Sequence, residues 1–167
     1  MFDWISLSVN SAVGLITGGF AAVITSRIAI NKFYKEKWWE RKSQSYNTLI
    51  DALIEMEAIY KKAVRHYQTI FTNERSGNES ELDVKFDWGR YNELSTIIRR
   101  IHILAPISLS KKAKELLEEY FIESELSEYS VHEEGYHDFL AYDDLSKTIN
   151  SIINSIIYDA RKELRFN

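Results

Sequence analysis

The chain has 167 residues, 45% of them hydrophobic, which suffices for one modest globular domain in addition to an N-terminal segment. It contains no cysteine, which excludes disulfides, thiolate nucleophiles and cysteine-based zinc sites, and its one proline and six glycines predict a mostly helical protein. The net charge of -4 results from basic and acidic residues that are concentrated in different parts of the chain. Residues 27–42 hold six Lys or Arg against two Glu, whereas residues 115–146 hold eleven Asp or Glu and no Lys or Arg. The first segment therefore attracts anionic surfaces and the second repels them.

The first predicted element is the uncharged stretch between Asp3 and Arg27. As a helix it would be roughly 35 Å long, which exceeds the roughly 30 Å hydrocarbon core of a bilayer. A cleaved signal peptide is disfavoured, because the stretch lacks a positive leading region and is longer than the apolar part of such a peptide. Residues 1–27 are therefore predicted to form a transmembrane helix, with a buried core helix as the alternative.

Small and weakly polar side chains share one face of this predicted helix, and bulky apolar side chains occupy the other. Lipid favours bulky apolar side chains on all sides, so the small face is predicted to pack against another copy of the chain. Gly14 and Gly18 form the G-x-x-x-G pair that lets helix backbones approach closely. Two alternatives stay open: the face lines a pore through a ring of copies, or it is merely tolerated in a plain anchor. The predicted oligomer or pore face comprises Asn10, Ser11, Gly14, Thr17, Gly18, Ala21 and Thr25.

Residues 28–45 are predicted to continue as a basic and aromatic helix next to the membrane. Lys and Arg are stabilised beside anionic lipid, and aromatic rings suit the headgroup layer. Because the bases follow the span, the positive-inside rule places the N-terminus outside and the C-terminal domain in the cytoplasm. At least one of Trp38 and Trp39 is expected to pack into the domain core. The residues predicted at the membrane interface are Arg27, Lys32, Phe33, Tyr34, Lys35, Lys37 and Trp38.

Residues 46–167 are predicted to form a cytoplasmic four-helix bundle. The first helix carries a heptad stripe made of Tyr46, Leu49, Leu53, Met56, Tyr60, Ala63, Tyr67 and Ile70. Tyrosine is poor at the a positions of a parallel coiled coil, so this stripe is predicted to pack against helices of the same chain. A polar loop at residues 73–83 precedes a second helix, which is predicted to run from about Val84 to about Ala105, because Pro106 disfavours helix in the residue before it.

Ser108 or Ser110 is predicted to cap the third helix, and a loop at residues 129–138 to connect it to the last one. The third helix is predicted to bury Ala113, Leu116, Leu117, Tyr120 and Phe121. The last helix is predicted to bury Leu145, Ile149, Ile152, Ile153, Ile156, Ile157, Ala160 and Leu164. The predicted fold is therefore all-α, with an N-terminal transmembrane helix that continues into a cytoplasmic up-and-down bundle.

Signals for chemistry are few. One cluster of potential metal ligands comprises His132, Glu133, Glu134, His137 and Asp138. Its spacing matches neither H-E-x-x-H nor a paired E-x-x-H site, so it is interpreted as a solvated acidic loop. HEPN ribonucleases carry an Arg followed four to six positions later by a His, whereas here Arg99 precedes His102 by three positions and Arg65 directly precedes His66. No catalytic, metal, cofactor or nucleic-acid site is predicted, and the protein is not expected to be an enzyme.

The run "KEKWWERKSQSYNTLIDAL" after the predicted span, and the final "ARKELR", resemble those of bacterial single-pass membrane-anchored helical proteins. The outline is also similar to that of the membrane accessory protein of Cas13b-type CRISPR systems, a pore-forming effector with a HEPN-like domain. The resemblance implies a bacterial inner-membrane location, a role in antiviral defence and assembly of a homo-oligomer through the span. The expected function is that of a membrane-perturbing or pore-forming effector. The alternative is a membrane-tethered adaptor whose acidic bundle recruits a cytoplasmic protein partner.

Overall fold

The computed structural model describes the backbone of residues 4–76, 87–133 and 135–164, and the side chains within those ranges from residue 21 onward. It contains four helices: α1 (Trp4–Ser76), α2 (Trp88–Ser108), α3 (Lys111–Glu133) and α4 (Asp138–Leu164). No strand occurs within the described ranges, and the all-α prediction is confirmed. The chain divides into two compact units, Met1–Glu40 and Arg41–Asn167.

In the first unit, every side chain from residue 21 to Glu40 is exposed. Trp38 is 55% and Trp39 43% exposed, so the prediction that one of them packs into the core is wrong. The reason lies in where the buried stripe of α1 begins. The first buried side chain described in α1 is Lys42, and the hydrophobic core starts at Tyr46, so both indoles precede it.

The second unit is an up-and-down four-helix bundle. The antiparallel course of α1 and α4 is set by contacts at both ends, where Lys42 pairs with Glu163 and the ring of Phe71 lies 4.7 Å from that of His137. The connection from α2 to α3 is two residues long, and α3 and α4 pack along each other. Such short connections make consecutive helices antiparallel neighbours.

The heptad stripe of α1 forms one wall of a single hydrophobic core within the chain, as predicted. Its members from Tyr46 to Ala63 are buried, and Tyr67 and Ile70 are partly buried. The predicted faces of α3 and α4 meet the same core, with Phe121 and Ile157 partly buried at its edge. Because the tyrosines pack against helices of their own chain, the stripe does not serve as a coiled-coil seam.

The end of α2 differs from the prediction, which placed it near Ala105. The helix continues to Ser108 and includes Pro106. Proline lacks an amide hydrogen, but in the last turn this leaves a single earlier carbonyl without its helical bond. Later amides still find their partners, since the Leu109 amide donates to the Ala105 carbonyl at 2.9 Å.

Both predicted loops begin too early. α1 runs to Ser76, and α3 runs to Glu133, so most of the predicted loop at residues 129–138 is helical. Gly135 has a φ of 69°, in the left-handed region that glycine favours, and the Tyr136 amide donates to the Ser130 carbonyl at 3.0 Å. The polar side chains before this glycine are compatible with helix, so α3 ends only at the turn that contains Gly135.

Side-chain caps fix the starts of α2 and α3. The Asp87 carboxylate accepts a hydrogen bond of 2.9 Å from the Arg90 amide, whereas the predicted start at Val84 lies outside the described residues. At α3, the second of the two candidate serines is the cap, because the Ser110 hydroxyl oxygen accepts from the Ala113 amide at 3.0 Å.

Candidate functional site

The residues predicted at the membrane interface all lie on an exposed stretch of α1. We call residues 27–41 the basic–aromatic segment; it contains five Lys or Arg against two Glu. Large apolar side chains in and just before it are exposed as well: Val23, Ile24, Ile28, Ile30, Phe33, Tyr34, Trp38 and Trp39. Exposed apolar surface interleaved with bases is typical of sites that bind a membrane or another protein.

Local ion pairs neutralise part of the charge of this segment. Lys32 lies 3.8 Å from Glu36, and Lys37 lies 2.7 Å from Glu40. Exposed pairs at this spacing are worth only a few tenths of a kcal/mol and are readily exchanged for other partners. The basic side chains are therefore available to anionic groups in their surroundings.

Most side chains of the predicted span, residues 1–27, lie outside the described residues. Across the part of the chain that the structure does describe, none of the helices has a stretch both long and apolar enough to cross a membrane. Of the predicted oligomer or pore face, Ala21 and Thr25 are exposed. The other members, whose side chains lie outside the described residues, are Asn10, Ser11, Gly14, Thr17 and Gly18.

A buried polar network joins α1, the start of α3, and α4. The Tyr46 hydroxyl donates to the Asp159 carboxylate at 2.6 Å, the Ser110 hydroxyl donates to the same oxygen at 2.5 Å, and the Ser110 amide donates to the Tyr46 hydroxyl oxygen at 3.1 Å. Burial, and then the hydrogen bond to Asp159, raise the pKa of Tyr46 to about 12. Both the proton and an acceptor site of the Ser110 hydroxyl are engaged, since it also accepts from the Ala113 amide. The network therefore holds helices together and offers no activated nucleophile.

This network and the Lys42–Glu163 ion pair beside it were not predicted from the sequence, although one signal was present. Asp159 interrupts the apolar stripe of α4 directly before Ala160, and a carboxylate on a buried face needs donors. Its partners, Tyr46 and Ser110, are remote in sequence. The pattern could therefore have indicated a buried acid but not its donors.

A second group of polar side chains is a cluster of buried and partly buried tyrosines in and beside the core. The hydroxyls of Tyr60 and Tyr120 lie 3.0 Å apart, and the rings of Tyr67 and Tyr142 are stacked at 5.5 Å. Burial raises the pKa of Tyr60 well above its ordinary value and that of Tyr120 to about 12. These phenols stay protonated at neutral pH and contribute packing and hydrogen bonds.

The histidines do not assemble into a site. Within the described ranges, buried His66 Nδ1 and His102 Nε2 have no hydrogen-bond partner, and His102 Nε2 lies 3.7 Å from a Glu118 oxygen. Arg99 packs over the ring of Phe121 at 5.2 Å, and no acid among the described residues forms an ion pair with it.

The sequence cluster of potential metal ligands is divided between elements. His132 and Glu133 belong to the end of α3, whereas the ring of His137 packs against those of Phe71 and Phe139. Glu134 lies outside the described residues. No group of three or more His, Asp or Glu placed to hold a metal ion occurs among the residues that are described.

Two outward faces of the bundle were also not predicted from the sequence. On α2, Ile103 is 70% and Ile107 73% exposed, beside exposed Arg100. On α3, Ile122, Leu126 and Tyr129 are each more than half exposed and lie among glutamates. We call these the α2 face (Arg99, Arg100, Ile103, Leu104 and Ile107) and the α3 face (Glu119, Ile122, Glu123, Leu126 and Tyr129).

Comparison with known proteins gave no relative, since no family model, no curated protein and no solved structure matches this chain. What the protein does must therefore be inferred from its own residues.

Proposed function

We propose that this protein is a membrane-anchored, self-associating helical protein that perturbs bilayers or forms a pore, as an effector in bacterial antiviral defence. The observation that carries the proposal is the exposed basic–aromatic segment directly after an uncharged stretch. Its aromatic rings match the headgroup layer of a bilayer, and its bases match anionic lipid. The charge order supports an inner-membrane location with the bundle in the cytoplasm.

Self-association is supported by the two-faced character of residues 4–26. A membrane-spanning helix with a face of small residues packs most favourably against another helix, because close backbone approach replaces weak lipid contacts. Gly14 and Gly18 would lie at the centre of that contact. In a ring of copies the same face, with Asn10 and Thr17, would line a polar lumen.

The test combines the mass of the detergent-solubilised particle with ion leakage from vesicles of phosphatidylethanolamine and phosphatidylglycerol. Gly14→Leu with Gly18→Leu blocks close approach, whereas Val9→Leu with Val13→Leu adds one methylene at each site on the opposite face and serves as the control. We expect the natural chain and the control to be oligomeric and to release ions. The glycine variants should be monomeric, and the leakage should be lost with the oligomer. Intact vesicles in the presence of the natural oligomer would refute the pore.

A second candidate is a tethered adaptor, which the α3 face favours. Its exposed apolar side chains lie within the acidic residues 115–146, so this surface suits a basic protein partner and is repelled by anionic lipid. An adaptor would bind the same vesicles without releasing their contents, and the glycine variants would leave its membrane binding unchanged.

A further inference from the structure

The α2 face and the α3 face carry opposite charge. From Leu94 to Lys114 the chain holds five Lys or Arg and no Asp or Glu, and the next acidic run begins at Glu115. Arg99 and Arg100 therefore border the apolar part of the α2 face, while Glu119 and Glu123 border that of the α3 face. Each face alone exposes large apolar side chains to water next to charges of one sign.

The apolar centres of the two faces point away from the bundle core, although Arg99 at the edge of the α2 face packs over Phe121 of α3 within the same chain. Nine residues of helix advance about two and a half turns, which is the opposite side. Ile107 is thus opposite the fully buried Ile98, and Leu126 is opposite the fully buried Leu117. A contact that covers Ile107 with Leu126 must therefore join two copies of the chain.

The faces also complement each other in chemistry. The apolar side chains of the α2 face follow one another over about one helical turn, roughly 6 Å, and those of the α3 face over about two turns, roughly 10 Å, so the first can be covered by the second. Packing one against the other would remove Ile103 and Ile107 of one copy and Leu126 of the other from water and bring Arg100 near glutamates.

We infer that the α2 face of one copy packs against the α3 face of a second copy in a head-to-tail contact. Such a contact between unlike surfaces leaves one of each free, so it closes into a ring or continues as a chain. The bundle contact is separate from helix packing through Gly14 and Gly18 and does not depend on it. A single pair of helices buries less surface than a stable complex usually does, so membrane tethering would strengthen it by raising the effective concentration.

Because the natural chain has no cysteine, single-cysteine variants of the full chain can test this contact directly. Copies with Ile103→Cys are mixed with copies carrying Ile122→Cys, Leu126→Cys or Tyr129→Cys in detergent, and a short bismaleimide is added. All four positions are exposed, so the substitutions leave the core intact. In the matched control, the variant with a cysteine on the α3 face is replaced by Tyr158→Cys. Tyr158 lies on α4 and is 74% exposed.

We expect at least one of the three mixtures to give a product of twice the 19.6 kDa chain mass, and each variant alone to give none. A chain with Ile103→Cys and the linking α3 cysteine together should give a ladder of higher species. Arg100→Glu should abolish the product, and Glu119→Arg or Glu123→Arg in the other copy should restore it. The product should persist with Gly14→Leu and Gly18→Leu, which separates this contact from assembly through the span.

Three outcomes would overturn the inference. Linking of Ile103→Cys copies to one another would mean that like faces meet. Equal linking to Tyr158→Cys would mean unspecific crowding in the detergent particle. Absence of product in all three mixtures would leave the α3 face to a different partner, as in the adaptor.

Discussion

The hydroxyl of Tyr46 on α1 donates a hydrogen bond of 2.6 Å to the carboxylate of Asp159 on α4, which lies 113 positions further along the chain. Ser110 donates to the same carboxylate oxygen from the start of α3. One helical turn away, Lys42 pairs with Glu163 across the same two helices. A slip of α1 along α4 would leave a buried carboxylate without donors, which is costly, so these contacts fix the register of the bundle.

Removal of the Tyr46 hydroxyl should therefore destabilise the bundle. Tyr46→Phe keeps the ring in the core but deprives Asp159 of one of its two donors, and we expect the free energy of unfolding to fall by about 1–3 kcal/mol. Urea unfolding of the full chain in detergent, followed by circular dichroism, measures this change. Tyr158→Phe removes a hydroxyl from an exposed tyrosine and should change stability by less than about 0.5 kcal/mol. Equal stability of the two variants would mean that the network contributes nothing.

Alkaline pH should weaken the fold through the same phenol. The pKa of Tyr46 is raised from its ordinary 10.0 to about 12 in the folded chain. Below pH 10 both states keep the proton, so this contribution to stability is fully present. As pH rises from 10 to 12, the unfolded chain loses its proton first, and up to about 3 kcal/mol is lost.

The unfolding midpoint in urea, measured between pH 8 and pH 11, tests this prediction. The natural chain should lose stability above about pH 10, and Tyr46→Phe should lose it less steeply. Some dependence should remain in the variant, because Tyr60 and Tyr120 also have raised pKa values. Identical pH profiles for the two chains would contradict the assignment of Tyr46.

The parts of the fold that follow from periodicity could be predicted, and those that depend on tertiary partners could not. The stripe of α1 from Tyr46 to Ala63 is buried as its heptad spacing indicates. The partners of Asp159 come from two other helices, which no local pattern specifies. At least one of Trp38 and Trp39 was expected in the core, yet both are exposed, because burial depends on where neighbouring helices cover α1.

Of the candidate surfaces, one could be predicted from the sequence and the others could not. The basic–aromatic segment is local in sequence, so its composition could be read directly. Helical spacing places Ile107 on the side of α2 opposite Ile98, but it does not show that this side stays uncovered. Only the packing of α2 in the bundle shows that Ile98 is buried and that Ile107 is exposed.

Two leucines of α3 provide a matched test of core against surface. Leu117 is fully buried, whereas Leu126 is 53% exposed on the α3 face. Leu117→Ala should lower the free energy of unfolding by about 2–5 kcal/mol, because it removes apolar contacts and leaves a cavity. Leu126→Ala should change it by less than about 0.5 kcal/mol. Urea unfolding of both variants measures these changes. A large loss of stability in Leu126→Ala would show that this side chain stabilises the bundle itself.

The basic–aromatic segment should bind anionic lipid through its lysines. Replacing Lys32, Lys35 and Lys37 together with Gln should weaken the partitioning of the full chain to phosphatidylglycerol-containing vesicles by about 1 kcal/mol per charge. Flotation at low salt measures this loss, which should shrink in about 0.5 M salt because added ions screen the attraction.

The matched control for the segment is Lys111→Gln with Lys112→Gln, since both of these lysines are exposed at the start of α3 in the second unit. If the basic–aromatic segment lies against the bilayer, this control should bind anionic vesicles like the natural chain. Similar losses for both variants would mean that net charge alone determines binding. The variant with Gln at positions 32, 35 and 37 could also bind as strongly as the natural chain. The aromatic rings or the preceding uncharged stretch would then hold the protein at the membrane without these bases.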